Sequence, residues 1–276
     1  MILPDTLQGA LYPSIRQHIF TLLDDTFTSD NGVGVKPYID HTKSSMEGIV
    51  TPLYKYEDSA ATASWSYLPL SQAKRPDVFV IIGTHESLTT TSATFKTPID
   101  NVRVHTESFR YFKEHTKEDH EPFLETNYVQ SQLPLLQYIF KHEYEKMKIL
   151  PILGPQHSFE IISDLLEDLL VEKDLTMTLV IPTNLTKYGS TYRFLPFTQN
   201  PLKQIEDLDR KTLKDLQKRR FDSFRDRYHS LSHTLDNPTG LLVFHRFCST
   251  PTLECYTQVR PNEDDKTVVS FASLTC

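Results

Sequence analysis

The residues of this chain best suited to chemistry follow the apolar run in Lys74–Ser87, KRPDVFVIIGTHES, which ends on Thr84, His85 and Glu86. An imidazole beside a carboxylate can work as an acid–base pair or offer two ligands to a metal, because the carboxylate raises the basicity of the ring. The run before them says what positions them. Val78, Phe79, Val80, Ile81 and Ile82 are β-branched or aromatic and unbroken by charge, and Gly83 then turns the chain. In open α/β sheets ligands bind beyond the carboxyl ends of the strands, so a cleft is expected here. The competing reading is a polar turn, which needs polar residues in any case.

Other candidates are weaker. His229 and His233 stand four apart on a helical pattern, a spacing that turns two imidazoles to one face. No third ligand follows at a readable spacing, and a histidine near a helix C-terminus is favourable for dipole reasons alone. Lys218-Arg219-Arg220, with Arg225 and Arg227, would suit phosphate, but Asp215, Asp222 and Asp226 alternate with them as on a solvated helix face. Ser44-Ser45 and Thr89-Thr90-Thr91-Ser92 read as loop, since no G-x-S-x-G elbow accompanies them. Tyr54, Tyr56, Trp65 and Tyr67 would suit a peptide recess, although most such residues are core or rim.

The 276 residues are enough for a sizeable core and are read as a single domain, 1–276. Only 8 glycines stand against 17 prolines, which implies stiff loops without a flexible linker. A net charge of −7 argues against general binding to nucleic-acid phosphates. Cys248, Cys255 and Cys276 are odd in number and widely spaced, so neither a disulfide framework nor a zinc ribbon is expected. The first twenty residues lack a basic n-region and a continuous apolar h-region, and no apolar run approaches the ~18 residues that span a bilayer. A cytoplasmic protein is therefore expected, and the sequon Asn184-Leu185-Thr186 is not read as glycosylated.

Hydrophobic periodicity predicts helices from Pro13 to about Asp25, over Ser59–Leu68, Glu107–His115 and Gln130–Tyr144, and from Ser158 through Leu169. Pro201–Leu231 reads as one long charged helix, followed by a short apolar helix over Leu241–Phe247. Strands are expected at Gly48–Pro52, Val78–Ile82, Asp100–His105, Lys148–Leu153 and Leu175–Ile181, with a closing hairpin, Glu254–Arg260 and Thr267–Ala272, turning over Pro261–Asp265. Strands alternating with helices imply an α/β sheet with crossover connections.

Several of these segments, in this order, resemble the Memo family, which includes protein B of the AmmeMemoRadiSam system. The matching pieces are Gly9–Pro13, Val50-Thr51-Pro52 followed by Tyr54 and Tyr56, the central strand with Gly83, Lys96–Ile99 leading to Val102-Arg103-Val104, Gln132-Leu133-Pro134, Ile149–Gly154, the Thr183–Gly189 turn, Ile205–Asp209, and Pro238–Leu242. Each is short, but their collinear order covers nearly the whole chain. The resemblance implies a three-layer α/β/α fold with a mixed central sheet, like that of the LigB-like class III extradiol dioxygenases. It also implies a part in signalling and cell motility.

The family's cleft is lined by histidines, an aspartate and often a cysteine, and by correspondence this chain departs at most of them. The histidine of the family's P-H-A-G-Y becomes Leu53, and the one after the central strand falls on Glu86 or His85. E-H-S-I-E-M-H-L-P becomes Thr126–Pro134, with Asn127 and Gln132 at the histidines and Gln130 at a glutamate. In the turn resembling S-D-F-C-H-W-G the aspartate is Asn184 and the histidine Lys187, and the later cysteine aligns with Thr234 or His233. A divalent metal needs neutral imidazole, carboxylate or thiolate donors; leucine and an ammonium offer no lone pair, and amides carry no charge. The resemblance therefore implies a pseudoenzyme-type relative, with no cofactor and a protein or peptide partner. Two alternatives remain open. One is a metal-dependent oxidoreductase holding iron or copper on His85, Glu86 and His233; the other is a metal-free small-molecule pocket lined by Asn127, Asn184 and Lys187.

Overall fold

A computed structural model describes residues 1–40, 43–230, 235–261 and 266–276. In chain order, β1 (Ile2–Leu3) precedes α1 (Arg16–Thr28), and β2 (Gly48–Thr51) leads into α2 (Tyr56–Gln72). The central strand β3 (Val78–Thr84) is followed by short pieces β4 (Thr89–Thr90), β5 (Thr94–Phe95) and β6 (Arg103–Val104), then α3 (Thr106–Lys113), β7 (Lys117–Glu118), α4 (Pro122–Glu125) and α5 (Leu133–Ile139). Next come β8 (Lys148–Gly154), α6 (Phe159–Lys173), β9 (Met177–Pro182), β10 (Lys187–Tyr188), α7 (Pro201–Gln217), α8 (Phe221–Ser230) and α9 (Pro238–Phe247). Strands β11 (Thr252–Val259) and β12 (Val268–Thr275) close the chain as an antiparallel pair.

One ten-stranded sheet runs β10-β12-β2-β9-β3-β8-β4-β7, with β11 on β12 and β6 on β8. Strands β2, β9, β3 and β8 are mutually parallel, whereas β12 meets β2 antiparallel, so the sheet is mixed. Alternation along β3 shows why both faces are covered. Phe79 and Ile81 join one apolar cluster with Ile19, Leu23 and Phe27 of α1, Ala60, Ala63 and Tyr67 of α2 and Leu136 of α5. Val78, Val80 and Ile82 join the other, with Ile162, Leu166 and Leu169 of α6 and Leu241, Leu242 and Phe244 of α9. A strand with large apolar residues at five successive positions, Val78–Ile82, must be buried on both sides, and the architecture is three-layer α/β/α.

Local expectations shift where packing or capping overrides periodicity. α1 starts three residues later than Pro13 and leaves Ile15 half exposed, burying Ile19, Leu23 and Phe27 instead. α2 continues past Leu68, through Pro69, to Gln72. The threonine run read as loop supplies β4, whose Thr89 and Thr90 are buried against Leu153 and Ile152. The single helix read over 201–231 is two, because the chain reverses at Lys218–Arg220 with Arg219 at φ +52°. The closing turn's Asn262–Asp265 lie outside the described residues. Cys248 and Cys276, among cysteines for which no disulfide framework is expected from sequence, are joined in a disulfide. The end of α9 returns to the end of β12 and brings the two Cα atoms to 5.7 Å, inside the range a disulfide spans. Sequence spacing could not show that approach. Among the described residues, no helix is long and apolar enough to cross a membrane.

Candidate functional site

The carboxyl ends of β3, β8 and β9 come together with the N-terminus of α9, and Asn237 ties β3 and β9 to that helix. It is fully buried and caps α9 by accepting from the Gly240 amide at 2.9 Å, with the Thr84 hydroxyl at 3.1 Å on the same oxygen. Its amide nitrogen donates to the Ile82 carbonyl of β3 at 2.7 Å and the Pro182 carbonyl of β9 at 2.9 Å. Thr239 extends the network to β8 by donating to the Gly154 carbonyl at 3.0 Å. Tyr128 roofs the end of β3: its ring lies where a Cβ on Gly83 would be, 2.5 Å from that position, and its hydroxyl donates to the Asp236 carbonyl at 2.5 Å. Any side chain at position 83 would displace that ring.

Beside this knot the cleft is filled by its own polar groups. Asn184, almost fully buried, accepts from the Leu53 amide at 3.1 Å and donates to the Leu53 carbonyl at 2.7 Å. Its second amide hydrogen goes to Asp236 Oδ2 at 2.8 Å. The other carboxylate oxygen of Asp236 forms an ion pair with Lys187, whose Nζ also lies 5.4 Å from the centre of the Tyr192 ring. Asp236 is thus neutralised by an ammonium carried on the chain and held in place by an amide. A protonated lysine offers no lone pair and repels an arriving cation.

Two further amides, Gln132 and Gln130, are also engaged. Gln132 donates to the Pro52 carbonyl at 3.3 Å and the Ser131 hydroxyl at 2.9 Å while accepting from the Tyr67 hydroxyl at 2.8 Å. Gln130 accepts from Thr6 and donates to the Pro4 carbonyl at 2.9 Å, fastening the N-terminal segment. Buried amides engaged in this way act as staples between elements. Tyr56 and Tyr67 are buried core, with the Tyr56 hydroxyl on the Ser131 carbonyl at 2.6 Å; Tyr54 and Trp65 are only partly buried.

His85 and Glu86 stand beyond β3, partly exposed and exposed. The His85 Nδ1 accepts from the Ser87 amide at 3.2 Å, a local turn contact that engages one ring nitrogen. Asn127 is half-buried beside Tyr128, and Leu53 is buried. His233 and Thr234 lie outside the described residues. Among the described residues the one trio of potential ligand atoms within 4.8 Å of each other is Glu47, Cys248 and Cys276, whose two sulfurs are already bonded to each other.

Sequence reading missed Asp236 and Asn237. Asn237 was findable, since an asparagine directly before a proline at the first helical position is a helix-start signature. Asp236 was not, because its partners Asn184 and Lys187 belong to a turn about fifty residues upstream. The ion pair has a measurable consequence. Lys187→Met should cost about 1–2 kcal/mol in urea unfolding, because a partly buried carboxylate loses its counter-charge. Adding Asp236→Asn to that variant should restore most of the loss. An unchanged stability in Lys187→Met would reduce the pair to an exposed contact of no weight.

The Thr186 hydroxyl, next to Lys187, donates to a second buried carboxylate, Asp209 of α7, at 2.6 Å. Ser270 of β12 at 2.5 Å and Tyr256 of β11 at 2.8 Å donate to its other oxygen. Burial pushes this carboxyl up from 3.8 to about 6, the hydroxyls opposing only part of the shift.

Comparison with known proteins shows what the whole chain is similar to. The family model described as Memo-like protein matches residues 4–273. A MEMO1 family protein, PH1626, of Pyrococcus horikoshii is 26% identical over 259 residues, covering 84% of this chain and 87% of the relative. One from Methanobrevibacter smithii is 25% identical over 227 residues, 76% of this chain and 78% of its own length. One from Ignicoccus hospitalis is 26% identical over 162 residues, and that match spans 55% of this chain and 56% of the relative.

Proposed function

We propose, on the premise that this chain belongs to the Memo-like protein family, that it is a member whose cleft has lost its metal chemistry and that it acts in the cytoplasm as a binding or signalling scaffold for a protein or peptide partner. The observation that carries the reading is the closed charge balance at Asp236, satisfied by Lys187 and Asn184. Gln132 and Asn184, at positions that correspond by resemblance to ligands, spend their polar groups on backbone carbonyls and neighbouring side chains. Catalysis by a metal requires an open coordination position and donors free to take it. The opposing reading is an iron or copper oxidoreductase rebuilt on His85, Glu86 and His233.

Oxygen uptake separates the two. Protein incubated with Fe(II) or copper and offered a panel of catechols should consume dioxygen no faster than the same ions in buffer. Uptake that depends on the protein and disappears in His85→Ala would overturn the scaffold reading.

A further inference from the structure

α9 leads away from the cleft, and its last turn stands about 13 Å from the Asn237 cap at a rise of ~1.5 Å per residue. There a recess of about 520 Å³ is lined by Phe159, Glu160, Arg219, Phe221, His245 and Arg246. Its aromatic wall is continuous. The Phe159 and Phe221 ring centres are 5.4 Å apart, and His245 meets Phe221 edge-on at 5.5 Å.

Two polar groups in this lining lack the partners that their burial and charge call for. His245 is buried, 4% exposed, and its Nε2 has no hydrogen-bond partner among the described residues. Among the described residues it is one of six buried side-chain polar atoms without a hydrogen-bond partner, and the one that belongs to this lining; each such atom calls for an explanation, a ligand being one. Arg246 is committed to Asp164 at 2.7 Å and Glu167 at 3.0 Å. Arg219 forms no ion pair among the described residues, and its guanidinium has only the Arg246 carbonyl at 3.4 Å. Arg219 also occupies the left-handed position that ends α7, φ +52°, where glycine is the usual residue. The chain keeps there, at a conformational cost, an arginine without an ion pair among the described residues, beside an imidazole nitrogen without a partner among them.

We infer that this recess is a binding site for a small aromatic anion, an aryl carboxylate or aryl phosphate, with its ring against Phe159 and Phe221 and its oxyanion on Arg219 and His245. The planar guanidinium fork matches either oxyanion bidentately, and aromatic walls favour a flat apolar body over a bare ion. A lining with one cation unpaired among the described residues, and the exposed Glu160 on its rim, suits a single-headed anion and disfavours a polyphosphate.

The test is calorimetric titration of the full chain with benzoate, phenyl phosphate, inorganic phosphate and benzamide. At least one of the two aryl anions should bind about tenfold or more tightly than both inorganic phosphate and the neutral benzamide, and whichever wins identifies the headgroup. Arg219→Gly should weaken that binding at least tenfold without lowering the unfolding temperature, since glycine is at ease at this φ. His245→Phe should weaken it as well. Failure of both aryl anions to bind, inorganic phosphate binding as well as they do, or affinity unchanged in Arg219→Gly would each overturn the assignment.

Discussion

Asn237→Ala should destabilise the protein by about 3–7 kcal/mol, the largest loss expected from any polar substitution near the cleft. The sum has two parts. Losing the cap of α9 costs about 1 kcal/mol, and leaving the Ile82 and Pro182 carbonyls without their donor costs about 1–3 kcal/mol for each buried acceptor. Those carbonyls belong to β3 and β9, so the loss falls on the junction of the two central strands with α9. Asn237→Asp separates the parts, because it keeps the capping oxygen and removes the donor to both strands. It should be nearly as damaging. A urea midpoint within error of wild type in either variant would show that the strand ends are satisfied without Asn237.

The second large effect is a dependence on pH. Asp209 titrates near 6 in the fold against 3.8 for an ordinary aspartate, so the folded protein holds this proton more tightly than the unfolded chain. The stability it contributes is fully present below about pH 4 and is lost as pH rises through 6, amounting to about 3 kcal/mol at 1.36 kcal/mol per unit. Other carboxylates work in the opposite direction: Asp77 is held below its ordinary value by hydrogen bonds from Thr176, and Glu118 by Lys113 and Ser92. The clean observable is therefore the difference between wild type and Asp209→Asn. Wild type should gain relative to the variant on going from pH 7 to pH 4, with most of the change centred between 4 and 6. A difference independent of pH would mean that Asp209 ionises like an exposed carboxyl.

The elements legible in the sequence were those whose signal is local. Val78–Ile82 read as a strand and Ile162, Leu166 and Leu169 as the apolar stripe of a helix, so the alternation of strands and helices followed from periodicity, while the three layers came from the family resemblance. Breaks were less legible. Nothing in Lys218-Arg219-Arg220 announces the end of α7, because the left-handed position that breaks the helix is filled by an arginine. The disulfide was illegible for a different reason, since it depends on α9 and β12 ending side by side.

The site divides in the same way. That Leu53, Asn184 and Lys187 stand where cation ligands would be expected came from resemblance, position by position. What those residues do instead came only from the fold. Asn184 bonds Leu53 across the sheet's end, and Lys187 meets a carboxylate, Asp236, that no spacing rule connects to it. Long-range polar pairing of this kind leaves no periodic trace in a sequence.

Metal content is the most direct measure of whether the cleft is closed by its own charges. Purified protein incubated with excess Fe(II), copper and zinc, desalted and assayed by plasma mass spectrometry should retain far less than one ion per chain, whether or not Lys187 is replaced by methionine. An equimolar ion that disappears in His85→Ala or His233→Ala would contradict the account.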